Sequence, residues 1–546
     1  MKSRILSLIL CLAVLPAAAV PAIQSAGKND NARPQYLPIQ KLMNTFQVIS
    51  GYYVDTVNEP HVVDEAIKAM LHTLDPHSTY SDPEATRALT EPLQGNFSGI
   101  GIQFNMLDDT VKVIQTVVGG PSEKVGILAG DRIMTANDTL ISGVKMPQAD
   151  VMKRLRGPKG SVVKIGARRR GVPEMIYFTI ERDDIPTYSV NAAYMADDNT
   201  GYIKATLFGE TTARELAEAI VKLQGQGMTD LVLDLEDNGG GYLQAAIDMA
   251  SMLLDDDALI VYTDGRMAPA TYYNASKAPV KFNGRLVVTV NQYSASASEI
   301  LSGAVQDNDR GVIVGRRTFG KGLVQRPIPF PDGSMIRLTT ARYYTPSGRL
   351  IQKPYKPGED EDYELDIVHR YEAGEFASAD SVHFDESLLK RTLRNGRKVY
   401  GGGGIMPDAF VPVDTSYYST YYRDLVAKAV INRYTLAYVD EHRSRLRSEW
   451  PTADAFVGGF KVSQAMIDSI AALGEREGVK PDSAQLAISR PAIELIVKGL
   501  IGRDLFEQSI YYRVVNPIDP IYRRALEIIN DEKLYDRLLE GSPEVK

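Results

Sequence analysis

Apolar positions change their spacing several times along the chain, and each change marks a different kind of element. Over residues 39–74, Leu42, Phe46 and Ile49 and a second apolar set recur every three or four positions. This spacing predicts two amphipathic helices. Asp75-Pro76-His77-Ser78 then ends the pattern, because proline and small polar residues disfavour the continuation of a helix.

From Phe97 the apolar residues alternate with polar ones. Ile100, Ile102 and Phe104 show this alternation, and Leu107-Asp108-Asp109 is typical of a turn between paired strands. The following segments predict a helix, a strand, a helix and a strand at 121–128, 132–136, 148–155 and 162–167. Together these elements predict one small β-rich module.

A third pattern begins at about Tyr194, where short runs rich in Val, Leu and Ile alternate with amphipathic segments. Such alternation predicts βαβ units and a layered α/β domain. The predicted elements are helices at 212–224, 242–254 and 297–306 and strands at 230–235, 285–290 and 311–315.

These patterns divide the chain into regions of different character. They are a signal peptide and leader at 1–26, an N-terminal helical region at 34–91, the small module at 92–184, the α/β core at 185–414 and a helical extension at 415–546. Within the core, residues 356–385 are acidic and aperiodic, which indicates an exposed insertion. The C-terminal helices are a candidate homodimer surface because Tyr417, Tyr418, Tyr421 and Tyr422 cluster there, with packing in a core as the alternative.

The first residues have the features of a secretory signal peptide. Lys2 and Arg4 precede the apolar run 5–15, and Ala17-Ala18-Ala19 offers a cleavage site. An uncleaved anchor is the alternative, but the run ends at Pro16 and a bilayer needs about 20 apolar residues. We therefore expect export, to the periplasm or beyond it, and a soluble protein after cleavage.

Cys11 is the only cysteine and lies inside this apolar run. Lipidation is not expected there, because Leu10 rather than a small residue precedes the thiol. If the leader is removed, the mature chain has no thiol. A disulfide framework and a cysteine nucleophile are then both excluded.

The charge balance argues against nucleic-acid binding. Lys and Arg number 61 against 69 Asp and Glu, which gives a net charge of -8, whereas nucleic-acid binding needs a basic face. The basic cluster of Lys153, Arg154 and Arg156 with 168–170 lacks interleaved aromatic residues, which favours a solvated face. The hydrophobic content of 44% is that of a globular protein rather than a disordered chain.

Three serines lie where a predicted buried strand meets a helix. Ser294, Ser296 and Ser298 follow the strand that begins at Leu286. Helix N-terminal amides can stabilise negative charge at such a junction, which suits a nucleophile. A cluster of helix-capping serines is the alternative.

A serine nucleophile needs a base. No histidine lies between Ser78 and Val368 in the sequence, so a Ser-His-Asp triad would require long-range folding. Lys321 lies between two glycines and follows Phe319 closely. A buried lysine can act as a base because desolvation lowers its pKa, and a solvated loop lysine is the alternative.

Gly239, Gly240 and Gly241 follow the predicted strand 231–235. Glycines at a strand end can turn backbone amides toward a ligand, as in an oxyanion hole or an anion nest. A phosphate-binding loop is the competing interpretation. It fails because neither a Gly-Lys-Ser/Thr sequence follows nor a G-x-G-x-x-G fingerprint is present.

Four motifs in order resemble one family, the C-terminal processing peptidases, also called tail-specific proteases. They are Asn238-Gly-Gly-Gly, Ser294-Ala-Ser-Ala-Ser-Glu, Thr318-Phe-Gly-Lys-Gly-Leu-Val-Gln and Leu338-Thr-Thr-Ala-Arg-Tyr-Tyr-Thr-Pro-Ser-Gly-Arg. The later Ile405-Met-Pro-Asp408 is also similar, and the resemblance covers about residues 40–412. It implies a crotonase/ClpP-like layered α/β core with an inserted PDZ domain.

By this resemblance, Ser296 is the nucleophile, Lys321 is the general base and Gln325 orients the lysine amine. The implied oxyanion hole consists of the amides of Ala297 and of Gly241 or Gly240. Asp307 matches an acidic position of the family, with an ordinary helix-end residue as the alternative. Glu236 and Asp237 depart from the usual Asp-Leu-Arg-x-Asn, which changes the charge beside the glycines but leaves the backbone donors in place.

The small module resembles a PDZ domain. Ser98-Gly99-Ile100-Gly101-Ile102 matches its carboxylate-binding loop, whose amides bind the terminal carboxylate of a peptide that adds as a strand. A β-rich spacer is the alternative. We expect Gly99, Ile100, Gly101 and Ile102 to bind the C-termini of protein or peptide substrates.

The leading hypothesis is an exported serine endopeptidase that uses neither a metal nor a cofactor. A separate regulatory adaptor protein is a further candidate partner of this enzyme. One alternative is a non-catalytic peptide-binding adaptor or holdase on the same scaffold. Another is an acyl-CoA enzyme on the same core fold, against which the secretory signal argues.

Overall fold

The structure, a computed structural model, describes residues 37–541. The predicted signal peptide, with Cys11, lies outside the described residues. By its internal contacts the chain divides after Ile67, and each part is considered by itself. Helix α1 (Leu37–Tyr52) and the start of α2 (Glu59–His72) form the described portion of the first part, as the apolar spacing predicts.

After the end of α2, the second part continues with a short strand and a capped helix, β1 (Thr79–Ser81) and α3 (Pro83–Gln94). The Asp82 side chain accepts a hydrogen bond from Ala85 N at 2.8 Å and so starts the helix. Gly95, with a φ of 72°, ends it in the left-handed conformation that glycine adopts without strain. Helix α3 therefore leads directly into the small module.

The small module is an antiparallel β structure with two short helices. Its elements are β2 (Asn96–Gly99), β3 (Ile102–Leu107), β4 (Thr110–Thr116), α4 (Pro121–Lys124), β5 (Arg132–Ala136), β6 (Thr139–Leu140), α5 (Gln148–Leu155), β7 (Val162–Arg168), β8 (Ile176–Glu181) and β9 (Asp183–Pro186). The strand order is β3-β4-β5-β7-β8, with β6 paired to β5, while β2 pairs with β9. Val111, Ile133 and Ile165 belong to its separate apolar core.

The α/β core follows with regularly alternating elements. They are β10 (Val190–Met195), β11 (Thr200–Ala205), α6 (Thr212–Gln224), β12 (Asp230–Asp234), α7 (Leu243–Leu253), β13 (Leu259–Gly265), β14 (Ala268–Asn274), β15 (Leu286–Val290), α8 (Ala297–Asp307), β16 (Val312–Gly315), β17 (Leu323–Pro329) and β18 (Met335–Tyr344). After them come α9 (Asp360–Glu364), α10 (Asp366–Glu372), β19 (Leu389–Arg391), β20 (Lys398–Tyr400) and β21 (Ala409–Phe410).

The main sheet has the strand order β10-β11-β12-β15-β16-β21. Only β10 runs antiparallel to its neighbour. Every residue of β12, β15 and β16 is buried, which explains their continuous apolar runs. A second, antiparallel sheet has the order β1-β18-β13-β14, with β17 also paired to β18.

The C-terminal region is helical, as the sequence predicts. Its helices are α11 (Thr420–Ala427), α12 (Val430–Glu449), α13 (Ala453–Gly459), α14 (Gln464–Arg476), α15 (Ser483–Leu505), α16 (Gln508–Val515), α17 (Pro520–Asn530) and α18 (Glu532–Leu539). Residues of α11 to α16 share one apolar core. By contrast, α17 and α18 pack with residues of the main sheet, because side chains such as Tyr202 and Val287 on that face need an apolar cover.

Some finer sequence-based predictions differ from the structure. The helix predicted at 121–128 is only the four-residue α4 (Pro121–Lys124). The segment 356–385 contains α9 and α10 and buries Tyr363, Arg370 and Phe376, so it is not simply an exposed insertion. In the tyrosine cluster, Tyr421 is buried in the core of α11 to α16, whereas Tyr417 and Tyr418 are exposed. The homodimer through these helices stays a prediction. Across residues 37–541, no helix combines the length and the apolar character that a membrane crossing requires.

Candidate active site

The predicted catalytic residues surround one cavity of about 550 Å³. It is formed by the glycine loop after β12, the junction between β15 and α8, and the segment that enters β17. Ser296, Ala297, Lys321, Gln325, Gly240 and Gly241 all line it. Apolar side chains of α3 and the core, among them Leu89, Leu93, Leu207, Ile300 and Met335, form much of the remaining wall.

Ser296 occupies a strained corner at the start of α8. Its φ of 58° and ψ of −112° lie outside the helical and extended regions, which costs a non-glycine residue about 1–3 kcal/mol. The Ser296 N–H donates to Glu299 Oε2 at 2.8 Å. The corner half-buries the serine and presents it to the cavity at a helix N-terminus, where backbone dipoles favour negative charge.

Lys321 is a partly buried lysine with a specific partner. Its Nζ donates to Gln325 Oε1 at 3.0 Å. Burial, followed by the nearby Arg337 guanidinium, lowers the lysine pKa from 10.5 to about 8, while Glu299 and Asp75 oppose the shift. The amine can therefore lose its proton near neutral pH.

Within the described residues, no hydrogen bond joins Lys321 Nζ to Ser296 Oγ, although both residues line the same cavity. Catalytic hydrogen bonds are often long before a substrate binds and shorten in the complex. Ser296 and Lys321 therefore line one cavity without a direct hydrogen bond between their side chains.

Gln325 is oriented by an unexpected part of the chain. Its Nε2 donates to the carbonyl oxygen of His77. The amide oxygen Oε1 therefore faces the lysine amine. The His77 Nε2 lies 2.7 Å from the Tyr363 hydroxyl. Burial, then the charge of Lys321, lowers the pKa of His77 to about 3, so its ring is neutral at physiological pH. Long-range folding thus brings a histidine near the site, but its backbone carbonyl makes the contact with Gln325.

The glycine loop contacts the serine corner directly. A Cβ on Gly240 would lie 2.7 Å from Ala295 O and 2.9 Å from Ala297 N, so the loop approaches closely because this residue has no side chain. The Gly240 N–H, however, already donates to Asn238 Oδ1 at 2.9 Å. This contact favours Gly241 over Gly240 as the candidate oxyanion donor of the loop. The N–H groups of Gly241 and Ala297 have no acceptor among residues 37–541.

Asp307 lies at the far end of α8 and does not line the cavity. Its carboxylate is fully buried and pairs with Arg349 at 2.6 Å. It also accepts hydrogen bonds from Ser347 N at 3.0 Å and Ser347 Oγ at 2.7 Å. These contacts fix the turn that follows β18, so the structural alternative describes Asp307 better than support of the reacting groups.

Glu299 is a further residue of the site, to which the sequence motifs assign no role. It is fully buried and accepts hydrogen bonds from Ser296 N, Thr318 Oγ1, Gly320 N and Lys321 N at 2.5–2.9 Å. Burial raises its pKa, and these hydrogen bonds oppose the rise. The signal for it is the Ser-x-x-Glu spacing at a helix start, which is typical of a capping box.

Glu236, which departs from the family pattern, is buried beside the core sheet and does not line the cavity. Burial, then Asp234 and Asp519, raises its pKa, while Lys204 and Arg316 oppose the rise.

The predicted carboxylate-binding loop joins β2 to β3 in the small module. The Ile100 carbonyl accepts from Ser122 N at 3.0 Å, and the Gly101 carbonyl accepts from Val117 N at 3.0 Å. The N–H groups of Ile100 and Gly101 have no backbone acceptor in the described chain. Gly99 and Ile102 lie in the flanking strands, and none of the four residues lines the cavity around Ser296.

Family models match four successive segments of the chain. Residues 199–365 match peptidase family S41, and 98–176 match the PDZ domain. Residues 16–85 match the N-terminal domain of the activating protease CtpB, and 421–507 match a family of unknown function.

Curated relatives agree with these matches. The carboxy-terminal processing protease CtpA of Bacillus subtilis is 34% identical over 359 residues, which cover 64% of this chain and 76% of the relative. A carboxy-terminal-processing protease of Bartonella bacilliformis is 32% identical, covering 73% of this chain and 90% of the relative. A solved photosystem II D1 C-terminal processing protease is 31% identical, covering 57% of this chain and 83% of that one at a TM-score of 0.32.

The relative from Bacillus subtilis is matched over three quarters of its length, and the peptidase and PDZ segments follow in the expected order. The chain therefore belongs to the C-terminal processing peptidases, serine endopeptidases of family S41 that carry a PDZ domain.

Proposed function

We propose that this peptidase is an exported enzyme that recognises protein C-termini through its PDZ domain and cleaves with a Ser296–Lys321 dyad. One observation carries the proposal. Ser296 and Lys321 line one cavity, and the lysine is a partly buried amine with a lowered pKa that donates to Gln325. A base of this kind is what a serine hydroxyl needs in order to attack.

In the proposed reaction, Ser296 Oγ attacks the scissile carbonyl carbon while Lys321 Nζ takes the hydroxyl proton. The N–H groups of Gly241 and Ala297 stabilise the oxyanion. When the tetrahedral intermediate collapses, the carbon–nitrogen bond breaks and Lys321 returns the proton to the leaving amine. Lys321 then deprotonates a water molecule that attacks the acyl-enzyme, and the protonated lysine returns that proton to Ser296 Oγ as the product acid leaves.

Gln325 holds the lysine amine toward the cavity because its own amide group is fixed by the His77 carbonyl. The apolar wall around the cavity suits a substrate with apolar side chains near the scissile bond. The loop from Gly99 to Ile102 would hold the terminal carboxylate elsewhere on the chain, so that recognition and cleavage use separate sites.

The proposal is tested by Ser296→Ala and Lys321→Ala, with cleavage of a protein that ends in apolar residues as the assay. Each variant should lower kcat/KM by about 10³-fold or more and keep the thermal unfolding midpoint. The matched control is Lys356→Ala, because Lys356 is an exposed lysine outside the cavity and should be dispensable. Retained cleavage by either dyad variant would refute the assignment. Binding without cleavage by the unaltered chain would favour the adaptor or holdase alternative.

Export is proposed from the N-terminal sequence alone, namely the basic residues, the short apolar run and the alanines at 17–19. Expression of the full chain followed by N-terminal sequencing of the periplasmic protein tests it. A mature chain that begins shortly after the alanines is expected, whereas an intact N-terminus in the cytoplasmic fraction would contradict export.

A further inference from the structure

Ser296 and Lys321 are bridged by two side chains, one through their N–H groups and one through their carbonyls. The segments that carry them are also joined by the Phe319 N–H, which donates to Ser294 O at 3.0 Å. On the N–H side, Ser296 N and Lys321 N both donate to Glu299 Oε2, at 2.8 and 2.9 Å. On the carbonyl side, the Tyr343 hydroxyl lies 3.1 Å from Ser296 O and also forms a short hydrogen bond with Lys321 O. One carboxylate oxygen and one hydroxyl thus bridge the same pair of residues.

Tyr343 is itself held firmly. It lies in β18, is 1% exposed, and its N–H donates to the carbonyl of Gly322, the residue after Lys321, at 3.0 Å. Its ring lines the catalytic cavity. Because the residue is fixed at both its backbone and its hydroxyl, it can resist a change in the separation of the two segments.

The hydroxyl can serve only as a donor to these two oxygens. A carbonyl oxygen accepts hydrogen bonds and cannot donate, so the single phenolic hydrogen is shared between Ser296 O and Lys321 O. Burial raises the pKa of Tyr343 well above its ordinary value, which keeps that hydrogen in place over the working pH range.

We propose that Tyr343 is a positioning residue that sets the spacing of nucleophile and base through the carbonyl oxygens of Ser296 and Lys321. The inference rests on the proposed dyad. Each of the two residues then has its N–H group held by Glu299 and its carbonyl held by Tyr343. With the hydroxyl removed, Ser296 O still accepts from Glu299 N and Ile300 N, both at 2.9 Å. Lys321 O has no donor other than Tyr343 among residues 37–541, so the lysine loses its carbonyl restraint and can shift relative to the serine.

The test is Tyr343→Phe, which removes the hydroxyl and keeps the ring in the cavity wall. Tyr344→Phe is the matched control, because this neighbouring tyrosine stacks on Tyr262 at 4.8 Å between ring centroids and makes no contact with either catalytic carbonyl. Because a misplacement of about 1 Å can cost about 10²-fold in rate, Tyr343→Phe should lower kcat by about 10- to 100-fold. KM for the peptide should change less than about twofold, since the cavity wall is intact.

A second readout does not depend on activity. Amide hydrogen exchange in 294–299 and 318–325 should become faster in Tyr343→Phe and stay unchanged in Tyr344→Phe. Unchanged kcat together with unchanged exchange would overturn the inference, and so would equal effects of the two variants. If Ser296→Ala still cleaves, the dyad proposal fails, and the exchange measurement alone decides whether Tyr343 braces the two segments.

Discussion

In the proposed dyad, proton transfer at Lys321 depends on how strongly the surroundings of the lysine destabilise its ammonium form. An ordinary lysine with a pKa of 10.5 is almost fully charged at pH 7, whereas one near 8 is about 10% neutral. The difference raises the population of competent base about 300-fold. Burial makes the largest contribution, and Arg337 adds a fixed positive charge beside the amine.

The pH profile should report this shift. Because the neutral amine is the active form of the proposed base, kcat/KM should rise with pH and reach half its maximum near pH 8. Arg337→Gln removes a charge that lowers the lysine pKa, so the midpoint should move to higher pH. The control is Arg342→Gln on the exposed side of the same strand, which should leave the midpoint in place. A midpoint that stays or falls in Arg337→Gln would contradict the electrostatic explanation.

Single residues also show what the sequence could predict. Ser296, Lys321 and Gln325 came from motif order, and the structure brings all three to one cavity. The choice between Gly240 and Gly241 stays open in the sequence, because it depends on a local contact of the Gly240 N–H with the Asn238 side chain that glycine spacing does not specify. The sequence does not predict that Glu299 accepts hydrogen bonds from the lysine loop. These contacts form only because a segment about twenty residues later folds over the Glu299 carboxylate.

At the scale of elements, the glycine loop after β12 must pass between the serine corner and the segment around Phe208. Gly241 has a φ of 151°, and a Cβ there would lie 2.2 Å from Phe208 O. Any side chain at this position therefore displaces the backbone. Since the Gly241 N–H is a proposed oxyanion donor, such a displacement acts on the reaction itself.

Gly241→Ala should therefore lower kcat by about 10²-fold, the loss typical of removing one oxyanion donor. Gly239→Ala is the matched control, because no atom lies within 4 Å of the position its Cβ would take. It should keep kcat within about threefold. The measurement is steady-state kinetics together with the unfolding midpoint. Equal kcat values for the two variants would show that the loop does not supply the donor.

Element boundaries were predictable where periodicity was strong. The helices Gln148–Leu155 and Thr212–Gln224 match their predicted bounds, because their buried faces recur at helical spacing. The segment 356–385 was misjudged because Tyr363 packs against His77 and Phe319, which lie far from it in the sequence. Burial of this kind depends on tertiary contacts rather than on local pattern.

At the scale of the molecule, the C-terminal helices contact two other regions of the chain. Helices α17 and α18 pack with the main sheet, and α12 contacts the PDZ domain. The sequence pattern at 415 showed a change from strands to helices, which describes local structure correctly. It carried no information about which surfaces those helices cover, because their apolar faces fit any complementary apolar surface.

The contact between α12 and the PDZ domain is built on a buried ion pair. Lys112 Nζ lies 2.6 Å from Asp440, with 8% and 17% of the two side chains exposed. Arg443 of α12 also donates to the Ile114 carbonyl at 3.3 Å. Removing one partner of a buried pair leaves an uncompensated charge, whereas replacing both by apolar residues does not.

Asp440→Ala should therefore destabilise the docked PDZ domain by about 3 kcal/mol, because Lys112 remains buried and unpaired. A lower unfolding midpoint and faster proteolysis between residues 92 and 184 are expected. The double variant Lys112→Met with Asp440→Leu should recover most of the loss, since it removes both buried charges and keeps the volume. Arg132, which also reaches Asp440 at 3.4 Å, is 36% exposed and stays solvated. Asp424→Ala, which breaks only an exposed pair with Arg423, is the control and should be neutral. If Asp440→Ala behaved like this control, the helical region would not hold the PDZ domain through the ion pair.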